Sequence, residues 1–494
     1  MSKSVQNHRI THPKSPLTCE IAVIGSGPGG AITACLLAEA GRDVLLIEEG
    51  SYFSLESCRA FSQAELEQKY RNGGLTAAFG KPKIQYVEGR CVGGGSEINS
   101  GLYHRTPPEI LEKWQTEFAV ESLTEAELLP HFEACEQAVT VCKLPGKPPL
   151  ASLKLHQGAV SLGWQSLEVP RWFRYQAQTD PAVTPKGTRQ SMTQTFIPRA
   201  IDAGCKLLTN TRINFIRKQG KQWFIKGNYI PDYQSKQAVE IQAKTLFICC
   251  GAIQTPALLR RSGITKNIGN SLQMHSTVKV IAQFNEIVNS KDMGVPVHQV
   301  KEFSPRFSFG CSISSPPYLA VGMTDHPQYK HEVDQNWQKM AIYYAMITGQ
   351  GQGSVRCLPG FRDPLVRYHL TQQDLKDLSE ALQKLSQLLF EAGAKILYPS
   401  ISNFPRLTQP NDLKHIPDLL PKSQTNLMTV HVMSSCPMGE NLEKCAANSF
   451  GKVHGFDNLY ISDASLLCTA PGVNPQGSIM AITRRNVLKF LGKL

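Results

Sequence analysis

The hydrophobic pattern changes period along the chain. Residues 20–24, EIAVI, form a nearly continuous apolar run that reads as a buried strand. Gly29 to Ala40 reads as a helix, with Gly41 as its C-terminal stop. Val44 to Ile47 reads as the next strand, completing one βαβ unit of the expected length, about 30 residues. Thr124 with Glu127 predicts a capping box that opens a helix running toward Val139. The middle of the chain differs. Thr277 to Phe284, Phe307 to Ile313 and Ala341 to Thr348 are short, partly alternating, rich in β-branched and aromatic residues, and punctuated by Gly and Pro. They predict antiparallel strands. Thr371 and Asp374 then resemble a second capping box. Leu375, Leu378, Leu382, Leu385 and Leu389 follow at three- and four-residue spacing, and Gly393 closes the helix. That stripe predicts core packing and carries no chemistry.

This order predicts an α/β protein. A Rossmann-like domain comes first, and a second α+β domain is built on an antiparallel sheet. The length of 494 residues accommodates both. Hydrophobic content of 41% and charged content of 19% fit a globular chain with a large core. No apolar stretch reaches the roughly 18 residues that a membrane span needs. The first twenty residues are polar, lack the apolar segment of a secretory signal, and read as a disordered basic lead-in. The fourteen Cys contain no CxxC pair and fall among apolar runs, as at Leu246 to Cys250. A cytoplasmic protein is the expectation. The net charge of +12 is scattered, so nucleic acid is not an expected partner, whereas an anionic cofactor is. No metal site is expected.

Gly25-Ser26-Gly27-Pro28-Gly29-Gly30 fits GxGxxG between the first strand and helix. Gly25 permits the tight turn, Gly27 lets backbone approach a pyrophosphate, and Gly30 lets the helix lie close on the sheet. The helix N-terminus offers unpaired N–H groups to phosphate oxygens. Glu48 ends the second strand, eighteen residues beyond Gly30, where a carboxylate can accept both ribose hydroxyls and repel a 2′-phosphate. This unit alone does not separate NAD from FAD.

Three more segments do. Residues 89–99 read GRCVGGGSEIN and continue into SGLYHRTPPEILEKW. Residues 245–264 read TLFICCGAIQTPALLRRSGI. Residues 431–439 read HVMSSCPMG, and 454–481 read HGFDNLYISDASLLCTAPGVNPQGSIMA. With the N-terminal unit, these resemble the glucose–methanol–choline (GMC) family of FAD-dependent oxidoreductases over nearly the whole chain. The resemblance implies an FAD domain assembled from residues 1–115, 205–275 and 421–494. A cap or substrate-domain part would span 116–204, and the substrate-binding domain 276–420. It also implies cofactor contacts from Ser26, Pro28, Cys91, Gly94, Gly95, Asn99, Ile213, Asp463, Ala464, Pro475 and Gln476, besides Gly25, Gly27, Gly30 and Glu48. Some members tether FAD through a His in the glycine segment. Ile98 stands there in this chain, which implies a non-covalent FAD.

Alcohol oxidation needs a base for the hydroxyl proton, and His is the usual choice. The family pattern points to His431, five residues before Cys436, and to Asn474 as the second polar group. Asn474 is expected to hold the substrate hydroxyl, to cap the following helix, or both. A helix starting near Pro475 would favour the reduced flavin through its dipole. His275 reads as structural, and Glu97 has no evident purpose.

The expected reaction takes a hydride from the CH–OH group of an alcohol. Oxygen or another acceptor would take the electrons. The aromatic middle strands lean toward a lipophilic substrate. Two other readings fit the same motifs: a redox-neutral or light-driven flavoenzyme on the same fold, such as a lyase or photodecarboxylase, and a flavin-binding protein without turnover. The basic C-terminal segment ITRRNVLKFLGKL is expected to pack on the FAD domain. Membrane contact is the less favoured reading.

Overall fold

The computed structural model describes all residues except 1–8, 11–12, 14, 177–183, 233–234 and 292–293. Most of the predicted lead-in therefore lies outside the described residues. Its last four residues do not. The first long strand is Leu17–Ile24, paired from Leu17 onward with Ile241 and its successors. The length of the partner strand, not local hydrophobicity, sets that boundary.

The order of the parallel sheet is Lys206–Leu208, Val44–Ile47, Leu17–Ile24, Gln237–Ile248 and Leu459–Ile461. Residues 21–24 and 44–47 are buried throughout, as befits strands covered on both faces. The twelve-residue strand Gln237–Ile248 changes partner along one edge. Its first half pairs antiparallel with Gln222–Tyr229, which in turn pairs with Thr211–Gln219. Its last three residues pair with Leu459–Ile461. Segments from the start, middle and end of the chain thus meet at one set of strand ends.

The helix Pro28–Glu39 lies against Gln476–Phe490 and Phe196–Asp202. A Cβ on Gly30 would sit 1.8 Å from the Gly25 carbonyl oxygen, so only glycine lets this helix approach its own entry turn. Gln476–Phe490 also packs on the capped helix Glu125–Ala138. It buries Met480, Ile482, Val487 and even Arg485, whose guanidinium donates to the carbonyls of Ser449 and Ser122. The basic C-terminal segment is therefore packed on the first domain. Among the described residues no helix is long and apolar enough to cross a membrane.

The second unit is a nine-stranded sheet. The three strands predicted from the middle of the chain, Thr277–Gln283, Met340–Ile347 and Phe307–Cys311, are its antiparallel centre. It reaches beyond residues 276–420, taking in Thr76–Ala78, Ile84–Tyr86, Ser166–Glu168 and Leu427–Thr429. The helix Gln372–Glu391 covers one face of this sheet. Its Thr371/Asp374 capping box is formed, and all five leucines of its stripe are fully buried. The opposite face of Thr277–Gln283 and Met340–Ile347 turns toward the first domain. Thr277, Lys279, Ile342, Tyr344 and Met346 alternate along it and line a cavity.

Candidate active site

That cavity, of about 710 Å³, runs between the two sheets. One end is the first βα turn. Here Gly27 precedes the helix, Pro28 opens it, and no side chain caps its N–H groups. A Cβ on Gly27 or on Gly95 would meet no protein atom, so bare backbone faces open space at both glycines. The two glycine segments touch. A Cβ on Gly94, whose φ is +54°, would lie 2.9 Å from Gly27 Cα. Uncapped helix N–H groups beside two stretches of bare backbone suit a pyrophosphate and a flat ring.

Of the expected cofactor residues, Gly25, Ser26, Gly27, Pro28, Glu48, Gly94, Gly95, Asn99, Ile213, Asp463, Ala464, Pro475 and Gln476 line this cavity. Gly30 and Cys91 do not. Gly30 is spent on helix–turn packing, and Cys91 is buried within its loop, with Sγ 3.9 Å from the Gly94 carbonyl oxygen. Two acids are more occupied than their sequence roles require. Glu48 accepts from Ser26 N (3.0 Å), Ser26 Oγ (2.7 Å) and Gly50 N (2.8 Å). A carboxylate has about four acceptor positions, so one remains for a ribose hydroxyl, not two. Asp463 accepts from Ser465 N and Oγ and from Gly251 N and Thr255 Oγ1. Its capacity is filled by tying two strand ends together. Burial raises the pKa of both carboxyls above the ordinary value.

Asn99 links the two halves of the site. Its Nδ2 donates to Gln476 Oε1 at 2.7 Å, across 377 residues of sequence, while its Oδ1 accepts from Gly101 N. Glu97, without evident purpose in the sequence, accepts from Thr193 Oγ1 at 2.9 Å and so anchors the glycine segment to the loop after Arg189. At the outer end near Ile213, an ion cluster lines the wall that sequence reading did not find. Glu49 meets Arg71 at 2.8 Å and Arg212 at 3.1 Å. Burial alone would raise the Glu49 carboxyl. Arg71, Arg212 and Arg90 outweigh it and hold that carboxyl well below the usual range.

His431 and Asn474 meet on the cavity wall, 43 residues apart in sequence, with Nε2 and Nδ2 3.2 Å apart. Asn474 does not cap its helix. Pro475 occupies the cap position without a side-chain bond. The Asn474 side chain instead contacts His431 and Gln299, the latter at 3.2 Å. His275, read as structural, lies behind His431 with the two Nδ1 atoms 3.0 Å apart. Its Nε2 accepts from Gly472 N, also at 3.0 Å.

That backbone contact orders the hydrogens. The Gly472 N–H can only donate, so neutral His275 carries its hydrogen on Nδ1 and donates to His431 Nδ1. Neutral His431 then carries hydrogen on Nε2. Its contact with Asn474 is a hydrogen bond when the amide presents oxygen. Turned in concert, Asn474 offers N–H to Gln299 Oε1, a buried atom that otherwise has no partner among the described residues. His104 lies beside both amides. Lys301 completes the surroundings with a buried ammonium that has no hydrogen-bond partner among the described residues. Burial, then Lys301, lowers His431 to about 4. Burial, then His431 and Lys301, holds His275 well below its ordinary value. Both imidazoles are neutral near pH 7.

The GMC oxidoreductase family matches at residues 66–277 through its N-terminal part and at 351–483 through its C-terminal part. A GMC-type oxidoreductase of Sinorhizobium fredii is 38% identical over 473 residues, covering 95% of this chain and 94% of its own length. The chain belongs to the GMC oxidoreductase family. Residues 23–64 of this GMC oxidoreductase also match an NAD(P)-binding Rossmann-like domain. A long-chain-alcohol oxidase of Arabidopsis thaliana is 24% identical, covering 97% of this chain and 69% of its own length. The crystal structure of pyridoxine 4-oxidase from Mesorbium loti has the same fold, with TM-score 0.72 at 19% identity over 96% of this chain and 99% of its own.

Proposed function

We propose that this GMC oxidoreductase binds FAD non-covalently and oxidises the CH–OH group of a lipophilic alcohol. The observation that carries this reading is the pairing of His431 Nε2 with the Asn474 amide on the wall of a cavity that begins at the glycine turn. Alcohol oxidase activity in a relative supports the reaction class. The apolar wall of Ile342, Met346, Met428 and Val430 supports the lipophilic substrate.

When bound, FAD supplies the acceptor for a hydride from the carbinol carbon. Gly27, Pro28, Gly94, Gly95, Asn99, Ile213 and Gln476 would hold it, with Glu48 offering one acceptor position. The chain's own part is to place the hydroxyl and take its proton. Asn474 orients the hydroxyl through its amide. His431 accepts the proton at Nε2, which requires that nitrogen to be free. The hydrogen order then reverses. His431 Nδ1–H donates to His275 Nδ1, and His275 carries hydrogen on Nε2. That form turns the His275 Nε2–H against the Gly472 N–H, 3.0 Å away, and leaves two donors unmet, so the loop at Gly472 must move back as the proton arrives. A general base contributes roughly 10²–10⁴ in rate, about 3–5 kcal/mol. A base this weak keeps the proton only as the hydride departs. The two events therefore belong to one step.

Anaerobic mixing with a panel of primary alcohols tests the reaction. Bleaching of the bound flavin by an alcohol supports it. An enzyme that turns over its substrate while the flavin stays oxidised would instead be redox-neutral. Acid precipitation tests the attachment. Yellow colour should pass to the supernatant, and flavin held in the pellet would contradict a non-covalent site.

A further inference from the structure

One charged side chain on the sheet wall of the cavity is left unexplained by proton removal. Lys279 stands on the strand Thr277–Gln283, in register with Tyr344 of the neighbouring strand. Thr277, Ile342, Tyr344 and Met346 surround it on the same face, all of them uncharged. Beyond it, Ile281 on that face is packed with Leu319 and Met323. An alternating strand would place an apolar residue here for packing alone, and its neighbours Val278 and Val280 do so on the opposite face.

Among the described residues the Lys279 ammonium makes no hydrogen bond and no ion pair, whereas the Lys279 backbone N–H donates to Ser400 Oγ. Asp325 is the nearby acid, but its Oδ1 accepts from Ser402 Oγ and Asn426 Nδ2, and it is not in ion-pair contact with Lys279. Burial lowers the Lys279 ammonium to about 8, with Asp325 opposing, so it is still mostly charged near neutral pH. The side chain is only partly buried and lines the cavity, so its ammonium is open to an anion entering there. The other lysine of the cavity, Lys83, is exposed at the surface.

Lys279 is also reached from the reacting end. Thr277, two residues earlier, pairs with Met428, three residues before His431. The rise from Thr277 to Lys279 is about 7 Å. Lys279, His431 and Asn474 line the same cavity, so one extended molecule can reach from the ammonium to the imidazole. We propose that the substrate is an apolar hydroxy acid, with its carboxylate on the Lys279 ammonium and its hydroxyl between His431 and Asn474. This deepens the alcohol-oxidase reading and rests on it for the hydroxyl end only.

Two measurements test it. The first is turnover of unbranched hydroxy acids of increasing length, each against the primary alcohol of equal length. The acids should have kcat/KM roughly 10- to 100-fold higher, the scale of one charge-assisted contact. Lys279→Met should remove that preference by raising KM, with kcat little changed because the contact is remote from the reacting carbon. Lys279→Arg should keep much of the preference. The second measurement needs no turnover. A fatty acid without a hydroxyl should bind the holoprotein and perturb the flavin spectrum, and Lys279→Met should weaken that binding by a similar factor. Equal kcat/KM for acid and alcohol would overturn the proposal, as would fatty-acid binding unaltered in Lys279→Met. Failure of every hydroxyl compound to bleach the flavin, with Lys279-dependent fatty-acid binding intact, would sink the alcohol reading and leave the anion site standing.

Discussion

At the scale of a single residue the proposed base is His431, and its neighbours decide how it behaves. An exposed histidine would change charge near pH 6.5, but this one is held at about 4 by burial and then by Lys301. A proton acceptor must be neutral, so the acidic limb of kcat/KM for flavin bleaching should lie near 4. A limb at 6.5 or above would contradict the assignment. Lys301→Met should move that limb upward by removing the unpaired charge behind the imidazole. His431→Ala should keep FAD bound and lose roughly 10²–10⁴ in rate. Asn474→Ala should lose less, because it removes alignment while a base remains. These losses are read from single-turnover bleaching, with flavin retention measured beside them. The residue was legible through its motif, HVMSSCPMG. Its partner His275 was not, because the two Nδ1 atoms are brought together only by pairing of the short strands Gln273–Met274 and Val432–Met433.

Local rules place the elements, and long-range ion pairs tie them together. Both capping boxes, Thr124/Glu127 and Thr371/Asp374, form where the sequence predicts them. Such a cap involves residues three apart, so nothing distant needs to be known. The Glu49–Arg71–Arg212 cluster is the opposite case. Arg71 also faces Glu88 at 3.5 Å and Asp363 at 3.7 Å, so its partners come from three separate segments. Arg71→Met takes the ion-pair partner from buried Glu88, while Glu49 and Asp363 keep Arg212, and should cost about 3 kcal/mol in urea unfolding of the protein. Thr371→Ala should cost only about 1 kcal/mol by the same measurement. Similar losses from the two would mean that the cluster is solvated rather than buried. Asn474 shows how an element can mislead. Asn before a helix is a strong cap in sequence, yet here the amide turns away to His431 and Gln299.

Across the whole molecule, several imidazoles are kept neutral by burial. Desolvation comes first for each, holding His104 at about 3 and His131, His298 and His431 at about 4. In the unfolded chain each takes up a proton as pH falls through about 6.5. The folded protein cannot follow until pH approaches 4. Their contribution to stability is therefore complete above about pH 6.5 and is lost as pH falls toward 4. Urea midpoints should fall between about pH 7 and about pH 5, before carboxylates titrate. A flat profile across that interval would show these rings to be solvated.

The βαβ unit, the antiparallel middle, the family and the candidate pair His431 and Asn474 could be read from the chain alone. Each of these is written in short-range spacing: hydrophobic period, turn glycines, caps and compact motifs. Only the tertiary structure decided which acceptor positions remain free on Glu48 and Asp463, that Gly30 and Cys91 are off the cavity wall, and that Asn474 is not a cap. It alone joined Gly472, His275 and His431 in one hydrogen-bonded chain and, among the described residues, left the Lys279 ammonium unpaired. The reason is physical. A side chain's charge, tautomer and spare hydrogen bonds depend on what packs around it, and here those neighbours come from segments hundreds of residues apart.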